Sequence, residues 1–377
     1  MIDITRLYCG IDTENKIRYT KERIRPVVVW NITKKCNLSC IYCYSATQNT
    51  SYHKKKELDY DDCKNLIDDL ANYNIPMLLL SGGEPLMRKD FYEIAEQGKR
   101  RGLKVVLSTN GTLIDTDVAK KLRDVGISYV GISIDGIGKK NDLLRGKAGA
   151  YASALKGIRN CKREKMKVGL RFTITKNNFL EIKKIFQIVK NEKIDRLCFY
   201  HLVYSGRGKP EDDLGKEQKR KTINIILDET LKLCKNGSTT EVLTVGNPAD
   251  GPYIYMKLLK NKLKDKAEKA LQLLSLSSGI HSTGMGIGCI DPYGFVHPDQ
   301  FWDDCNLGNV KKKRFSEIWE KSPLLLKLRN RQKLLKGRCE KCKWLWLCGG
   351  GNRVRAKYVY NDIWASDPAC YLNDNEI

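Results

Sequence analysis

Short apolar runs and longer helical patterns alternate six times between residues 26 and 204. The apolar runs are rich in β-branched residues, which is typical of strands, and the stretches between them show the periodicity of amphipathic helices. Repeated βα units form a parallel sheet, and six units are too few for a closed eight-stranded barrel. The pattern therefore predicts an α/β fold built on a partial (βα)6 TIM-like barrel. The predicted strands are 27–32, 77–80, 104–108, 129–134, 168–174 and 196–203.

The rest of the chain changes character on either side of this repeat. We predict an N-terminal extension at 1–25, the barrel at 26–210, a lysine-rich helical bridge at 211–283 and a small C-terminal domain at 284–377. No apolar run approaches the ~20 residues that a membrane-spanning helix needs. The first residues include an early acid and no apolar signal segment, which predicts a cytoplasmic protein without a membrane anchor.

The chain is basic, with 68 Lys and Arg residues against 44 Asp and Glu residues and a net charge of +24 over 377 residues. Such a charge suits nucleic acid, an anionic surface or an acidic substrate. The basic residues are dispersed and form no recognised RNA-binding motif, so we predict no nucleic-acid partner. The chain also has 14 cysteines. Because the cytosol keeps thiols reduced, metal ligation explains them better than a disulfide framework does.

Three cysteines follow the first predicted strand with the spacing C-x3-C-x2-C, namely Cys36, Cys40 and Cys43. Thiolates ligate iron–sulfur clusters, and a 4Fe–4S cluster normally takes one protein ligand for each iron. Three ligands leave one iron open to another molecule. A structural zinc ion needs four ligands in a closed tetrahedron, and no fourth cysteine or histidine adjoins this loop. The loop therefore favours a cluster with an open coordination position.

Polar residues stand at the ends of the predicted strands. Each group alone is compatible with a plain strand-ending turn. The carboxyl ends of parallel strands nevertheless meet at one edge, where barrels of this type place their active sites. At the second strand, glycines allow close approach to the backbone, and the carboxylate beside them suits an ammonium group. The candidate residues at this edge are Gly82, Gly83, Glu84, Asn110, Ser133, Asp135, His201 and Arg207.

The cysteine loop, the Gly-Gly-Glu sequence and the six βα units together resemble the radical S-adenosylmethionine (SAM) superfamily over residues 27–207. The resemblance implies that three thiolates hold a 4Fe–4S cluster, whose open iron is chelated by the amino and carboxylate groups of SAM. Reductive cleavage of SAM then yields a 5′-deoxyadenosyl radical that abstracts a substrate hydrogen. The implied metal ligands are Cys36, Cys40 and Cys43.

The same resemblance implies which residues bind SAM. Tyr42 is the aromatic residue expected near the adenine. Gly82, Gly83 and Glu84 are expected to bind the methionyl ammonium, and residues at the end of the fourth strand are expected to contact the ribose. The full set of implied SAM-binding residues is Tyr42, Gly82, Gly83, Glu84, Asn110, Ser133 and Asp135.

Four further cysteines lie near the C-terminus, as C-x2-C-x5-C followed by one distant cysteine. Four thiolates complete a second 4Fe–4S cluster, and they also suit zinc. The layout resembles a SPASM-type auxiliary domain. It departs from the full SPASM pattern because Asp299 follows His297 and Pro298 where a cysteine is expected, so we predict one auxiliary cluster. Its ligands are Cys339, Cys342, Cys348 and Cys370.

Several strings, at 26–31, 200–208, 297–302 and 367–372, resemble the tetrapyrrole-modifying branch of the superfamily, the AhbC- and NirJ-like enzymes. This resemblance implies an iron tetrapyrrole substrate and an external reductant of the ferredoxin or flavodoxin kind. We expect the enzyme to be a monomer. The expected reaction removes acetate side chains from 12,18-didecarboxysirohaem to give iron-coproporphyrin III. The alternatives are NirJ-like removal of propionate side chains towards haem d1, and peptide maturation, which would be expected to use an additional peptide-recognition domain.

Two residues at the end of the sixth strand are predicted to be catalytic and to seat the substrate. His201 can ligate the substrate iron or donate a proton, although a structural histidine fits the sequence equally well. The guanidinium fork of Arg207 suits a carboxylate of the substrate. Arg171 and Arg353 are further candidates for carboxylate binding.

Overall fold

The computed structural model describes residues 1–11, 25–46, 56–276 and 283–377. Within these ranges eleven strands form a single sheet. They are β1 (Ile2–Asp3), β2 (Val27–Asn31), β3 (Leu78–Ser81), β4 (Val105–Thr109), β5 (Val130–Ser133), β6 (Val168–Ile174), β7 (Arg196–His201), β8 (Glu241–Val245), β9 (Ile287–Ile290), β10 (Phe295–His297) and β11 (Gly308–Asn309).

Thirteen α-helices are present in the same ranges. None of these described helices has both the length and the apolar character needed to cross a membrane. They are α1 (Tyr60–Asn72), α2 (Phe91–Arg100), α3 (Thr116–Asp124), α4 (Lys139–Arg145), α5 (Ala150–Arg163), α6 (Ile182–Asn191), α7 (Lys216–Lys235), α8 (Asp250–Lys260), α9 (Lys264–Leu276), α10 (Phe315–Lys321), α11 (Pro323–Arg329), α12 (Leu345–Cys348) and α13 (Arg353–Tyr360).

Strands β2 to β7 correspond to the six predicted strands. They lie side by side in chain order, and every neighbouring pair is parallel. The apolar side chains of the strands and of the helices between them form one continuous core, in which Trp30 and Phe172 are completely buried. A parallel sheet needs such cover because its strands are apolar on both faces. The predicted α/β class with a partial barrel is confirmed.

A seventh parallel strand lies in the segment that the sequence predicts as a helical bridge. Strand β8 pairs with β7, with Leu243 opposite Cys198. The short strand β1 then pairs antiparallel with β8, with Ile2 opposite Thr244. The predicted helical bridge at 211–283 thus also contains a strand, because Glu241–Val245 extends the sheet and is itself paired with the start of the chain.

The C-terminal part continues the same sheet beyond its other edge. Strand β9 pairs parallel with β2, with Cys289 opposite Val29. Strands β10 and β11 follow as antiparallel neighbours. The first barrel strand thus lies between β3 and β9, and the loop that leaves it is placed between the barrel edge and the C-terminal part.

Candidate functional site

The cysteine loop leaves β2 and is held by the Gly-Gly-Glu turn that follows β3. The backbone N–H of Gly83 donates to the Thr33 carbonyl at 2.8 Å, and that of Glu84 donates to the Lys35 carbonyl at 2.7 Å. A Cβ atom on Gly83 would stand 2.2 Å from the Lys35 oxygen, and one on Gly82 would stand 2.6 Å from the Thr33 oxygen. Only glycine permits this approach, so the turn and the start of the loop form one unit.

The carboxylate of Glu84 lies inside the protein, at 0% exposure. One oxygen accepts hydrogen bonds from Thr109 Oγ1 at 2.7 Å and from the Leu86 N–H at 3.2 Å. The other accepts from the Asn110 N–H at 2.8 Å. Burial raises the pKa of Glu84 to about 7, and these hydrogen bonds act in the opposite direction. The side chain therefore links the ends of β3 and β4, and its oxygens are engaged within the protein.

Asn110 connects the end of β4 to the cysteine loop. Its Nδ2 donates to Asn37 Oδ1 at 2.8 Å, and its Oδ1 accepts from the Thr112 N–H at 2.9 Å. The Nδ2 of Asn37 donates in turn to Thr112 Oγ1 at 2.9 Å. Sequence reasoning missed Asn37, although its place directly after Cys36 is a signal that it belongs to the site.

Asp135 is buried at 1% exposure and pairs with the guanidinium of Arg145. It also accepts a hydrogen bond from the Thr173 N–H at 2.6 Å. Arg145 Nη1 lies 3.6 Å from the sulfur of Cys40, towards which it donates. The phenol of Tyr42 is buried beside this pair, and burial together with the Asp135 carboxylate raises the pKa of Tyr42 well above its usual range. Arg145 is a site residue that sequence reasoning missed.

The last residues of α4 support the same loop through their backbone. The N–H groups of Ser39 and Ile41 donate to the carbonyls of Arg145 at 3.1 Å and of Leu144 at 3.0 Å.

Ser133, the last residue of β5, is half-buried and stands opposite Arg171 of β6. The ends of β3, β4 and β5 thus surround the loop, as their common edge predicts.

Arg207 contacts the cysteine loop directly. Its Nε donates to the Cys40 carbonyl at 2.8 Å, and its backbone N–H donates to the Cys43 carbonyl at 3.0 Å. Gly206 has a φ of +59°, and a Cβ there would stand 2.4 Å from the Cys43 oxygen. This position favours a role for Arg207 in holding the cysteine loop, rather than the substrate contact that the sequence predicts.

His201 lies in a buried network, at 5% exposure. Its Nε2 is 2.9 Å from Asp250 Oδ2, and the other oxygen of Asp250 accepts from the Tyr371 hydroxyl at 2.6 Å. The network links β7, α8 and the C-terminal segment. The histidine ring is thereby engaged within the protein rather than presented at an open edge of the sheet.

The four C-terminal cysteines line a single cavity, which Arg338 and Trp344 also border. Arg338 Nη1 donates towards the Cys370 sulfur at 3.5 Å. Burial raises the pKa of Cys348 to about 12. In the barrel loop, burial likewise raises the pKa of Cys36 to about 11. Both sets of thiols must therefore lose protons when they bind metal.

Both cysteine sets fit iron–sulfur clusters. All fourteen cysteines lie in the described ranges, and all are free thiols. Among the described residues, no three His, Cys, Asp or Glu side chains converge as ligands of one metal ion would. A cluster binds each thiolate through a different iron, so its ligands surround a volume. The four C-terminal cysteines line one cavity, so their thiolates can surround one cluster.

The prediction that Arg353 binds a substrate carboxylate is wrong. The residue is completely buried in the C-terminal part. Its Nη1 donates to the carbonyls of Ile363 at 2.9 Å and Ala365 at 2.6 Å. The sequence gives no sign of this burial, because arginine is ordinarily a surface residue.

Comparison with known protein families identifies two matching models. Residues 30–189 match the radical SAM superfamily, and residues 275–343 match SPASM, an iron–sulfur cluster-binding domain. The chain is 48% identical to Fe-coproporphyrin III synthase of Methanosarcina barkeri, over 100% of this chain and 99% of that protein. It is 38% identical to pre-heme d1 synthase of Dinoroseobacter shibae, over 93% of this chain and 87% of that protein.

A solved structure shares the fold. Native anSMEcpe with bound AdoMet superposes with a TM-score of 0.69 at 22% identity, covering 92% of this chain and 94% of that one. The family matches, the relatives aligned along almost the whole chain and the sheet topology all agree. The chain belongs to the radical SAM superfamily and carries a C-terminal SPASM iron–sulfur cluster-binding domain.

Proposed function

We propose that this enzyme removes acetate side chains from 12,18-didecarboxysirohaem to form iron-coproporphyrin III. The observation that carries the proposal is the 48% identity to Fe-coproporphyrin III synthase along the full length of both chains. The two sets of free cysteines, one in the barrel and one in the C-terminal part, supply ligands for the two clusters that the proposal needs. An iron tetrapyrrole with several carboxylates also suits a chain with a net charge of +24.

We assign Cys36, Cys40 and Cys43 as ligands of the SAM-binding cluster. When bound, that cluster and SAM supply the reductive cleavage that generates a hydrogen-abstracting radical. The Gly-Gly-Glu turn presents its backbone to the methionyl ammonium, since the carboxylate of Glu84 is engaged with the end of β4. The buried carboxylate of Asp135 pairs with Arg145 and contributes to the site by holding this arginine beside Cys40.

The other assigned residues complete the SAM site and the auxiliary centre. Ser133 is half-buried at its strand end and offers the ribose a hydroxyl. Tyr42 packs beside the adenine, and Asn110 keeps the loop in place. The auxiliary cluster takes its ligands from the cavity-lining thiols Cys339, Cys342, Cys348 and Cys370.

The remaining partners follow from the same chemistry. Reductive cleavage requires an electron donor of the ferredoxin or flavodoxin kind. Free thiols and iron–sulfur ligation suit the reducing cytoplasm, and we propose a monomeric enzyme there. We also propose that the domain that binds SAM begins at β2, with β8 as its last strand, and that the auxiliary domain begins near residue 284.

A second candidate function is the removal of propionate side chains towards haem d1. It is favoured by the 38% identity to pre-heme d1 synthase over 93% of this chain. Both reactions use the same radical on the same substrate, so the product distinguishes them. The smaller identity makes this the second choice.

The test is anaerobic turnover of didecarboxysirohaem with reductant and SAM, followed by mass analysis of the macrocycle. We expect two losses of an acetate side chain, and two losses of a propionate side chain would favour the second candidate. Cys40→Ala should abolish SAM cleavage, whereas Cys342→Ala should retain some uncoupled cleavage without product. An unchanged macrocycle with wild-type enzyme that cleaves SAM would contradict both candidates.

The predicted seating role of His201 has its own test. If its ring ligates the substrate iron, His201→Ala should alter the visible spectrum of bound iron tetrapyrrole. If the ring instead only maintains the network with Asp250, the variant should lose stability while the spectrum of the bound tetrapyrrole stays unchanged.

A further inference from the structure

Arg353 carries a buried charge that forms no ion pair with a carboxylate of the described residues. Its side chain is completely buried, and its hydrogen bonds go to backbone carbonyls, those of Ile363, Ala365 and Gly350. Its Nε has no partner. In the part of the chain that the structure describes, no carboxylate forms an ion pair with it. The charge of the Asp367 carboxylate acts on Arg353 from nearby, but both oxygens of that carboxylate are held by Arg355.

A second arginine adds to this excess of positive charge. Arg331 is also buried, at 2% exposure. Burial and the nearby charge of Arg353 lower the pKa of Arg331 to about 10. Burial also lowers the pKa of Arg353. A buried cation without an ion-pair partner destabilises the fold, and a guanidinium does not relieve this cost by deprotonation at neutral pH.

The thiols of the auxiliary site lie beside Arg353. Its Nη2 donates to the carbonyl of Gly350, in the turn that directly follows Cys348. As thiolates, Cys339 and Cys348 would stabilise the charged form of Arg353, as the Asp367 carboxylate does. The cysteine cavity also includes Gly350 in its lining. The guanidinium is thus close to the volume that the four thiols surround.

We propose that Arg353 is the buried counter-charge of the auxiliary metal centre. The proposal rests on the assignment of the four C-terminal cysteines as ligands. A centre that carries four thiolates has a net negative charge, which balances the guanidinium. One-electron reduction makes the centre more negative, so the nearby cation stabilises the reduced form and raises the reduction potential.

The barrel loop offers a contrast that makes the effect specific. Arg145 approaches the sulfur of Cys40, but its charge is already paired with Asp135. Among the described residues no carboxylate forms an ion pair with Arg353, although the charge of Asp367 acts on it from nearby. A substitution at Arg353 therefore shifts the reduction potential of the auxiliary cluster and leaves the potential of the barrel cluster unchanged.

The first experiment is a redox titration followed by electron paramagnetic resonance. It uses full-length protein in which Cys36, Cys40 and Cys43 are all replaced by alanine, so that the auxiliary cluster alone is observed. In this background Arg353→Met should lower the midpoint potential, and Arg353→Lys, which keeps the charge, should retain most of the wild-type value. The control is Arg159→Met, an exposed arginine paired with Glu192 on the barrel surface, which should cause no shift. Equal shifts in the Met and Lys variants, or no shift in either, would overturn the proposal.

The second experiment compares thermal unfolding of metal-loaded and metal-free protein. Arg353→Met removes hydrogen bonds to backbone carbonyls in both forms, but it removes a counter-charge only in the loaded form. We expect a larger fall in melting temperature in the loaded protein. Equal falls would assign Arg353 a purely structural role, and this comparison decides the matter equally well if the centre holds zinc. A wild-type protein without metal at these cysteines would also refute the proposal. Neither experiment uses tetrapyrrole, so failed turnover is a separate result.

Discussion

Arg207 donates a hydrogen bond from its Nε to the backbone carbonyl of Cys40, across 2.8 Å and 167 positions of sequence. The contact joins the segment after the last predicted strand to the loop after the first. Both ends of the sixfold βα repeat therefore support one loop, and the Nε of Arg207 is committed to the backbone there.

Replacing Arg207 by Ala should weaken the hold on the barrel cluster. A hydrogen bond from a charged donor contributes about 1.5 to 3 kcal/mol, and its loss frees the Cys40 carbonyl. We expect lower iron content after desalting and a normal affinity of the remaining holoenzyme for tetrapyrrole. The measurement combines iron analysis with a substrate binding titration. Full iron content with weakened substrate binding would instead support the substrate contact predicted from sequence.

Glu84 predicts a pH-dependent stability. Its pKa is about 7 in the fold against 4.5 ordinarily, because of burial. Between these values the unfolded chain loses the proton while the folded chain keeps it, so the free energy of unfolding should fall as pH rises and level off above about 7. The loss amounts to about 3 kcal/mol. Urea unfolding of metal-free protein near pH 5 and pH 7.5 measures most of this loss, about 2 kcal/mol. The difference should shrink in Glu84→Gln, and an identical pH dependence in the two proteins would contradict the assignment.

Gly83→Ala should separate the Gly-Gly-Glu turn from the cysteine loop. The new methyl group meets the Lys35 oxygen at 2.2 Å, and backbone must shift to accommodate it. We expect loss of SAM binding, measured by equilibrium dialysis on reconstituted protein. Gly215→Ala is the matched control because its added Cβ meets nothing closer than 4.0 Å. Wild-type SAM affinity in the Gly83 variant would show that the turn tolerates displacement.

The buried pair of Asp135 and Arg145 should behave as a coupled unit. Removing one partner of such a pair costs about 3 to 5 kcal/mol, since the other charge is left buried. Asp135→Asn and Arg145→Gln should therefore each destabilise strongly, and the double variant should lose less than the sum. A double-mutant cycle by denaturant unfolding gives the coupling energy. Strict additivity would exclude a direct interaction.

Sequence periodicity was sufficient to predict the strands of the sixfold repeat, but it did not predict the strands at the two edges of the sheet. Strand β1 has two residues and provides no pattern. Strand β8 is as long as β2, but it lies beyond the sixfold repeat in a segment whose lysine-rich pattern predicts helix. Strand β9 pairs with β2, which lies more than 250 positions away. Pairing over such distances leaves no local signal, because local sequence patterns specify the element and not its neighbour.

For the site, the sequence located residues at the correct edge but did not specify where their side chains point. Glu84 and Asp135 are both at strand ends, as predicted, yet their carboxylates turn inward to partners on other units. Arg145 was missed because it ends a helix far from Cys40 in sequence. Orientation at a strand end depends on twist and on neighbours, which a single sequence does not display.

The pairing of β9 with β2 has a consequence for dissecting the molecule. A fragment that stops before residue 284 would leave the whole backbone edge of β2 without its neighbour. An unpaired, apolar edge strand is a template for aggregation. The two cluster-bearing parts are therefore not interchangeable modules, and fusion or truncation of this chain should keep β9 with the barrel to yield protein that remains in solution.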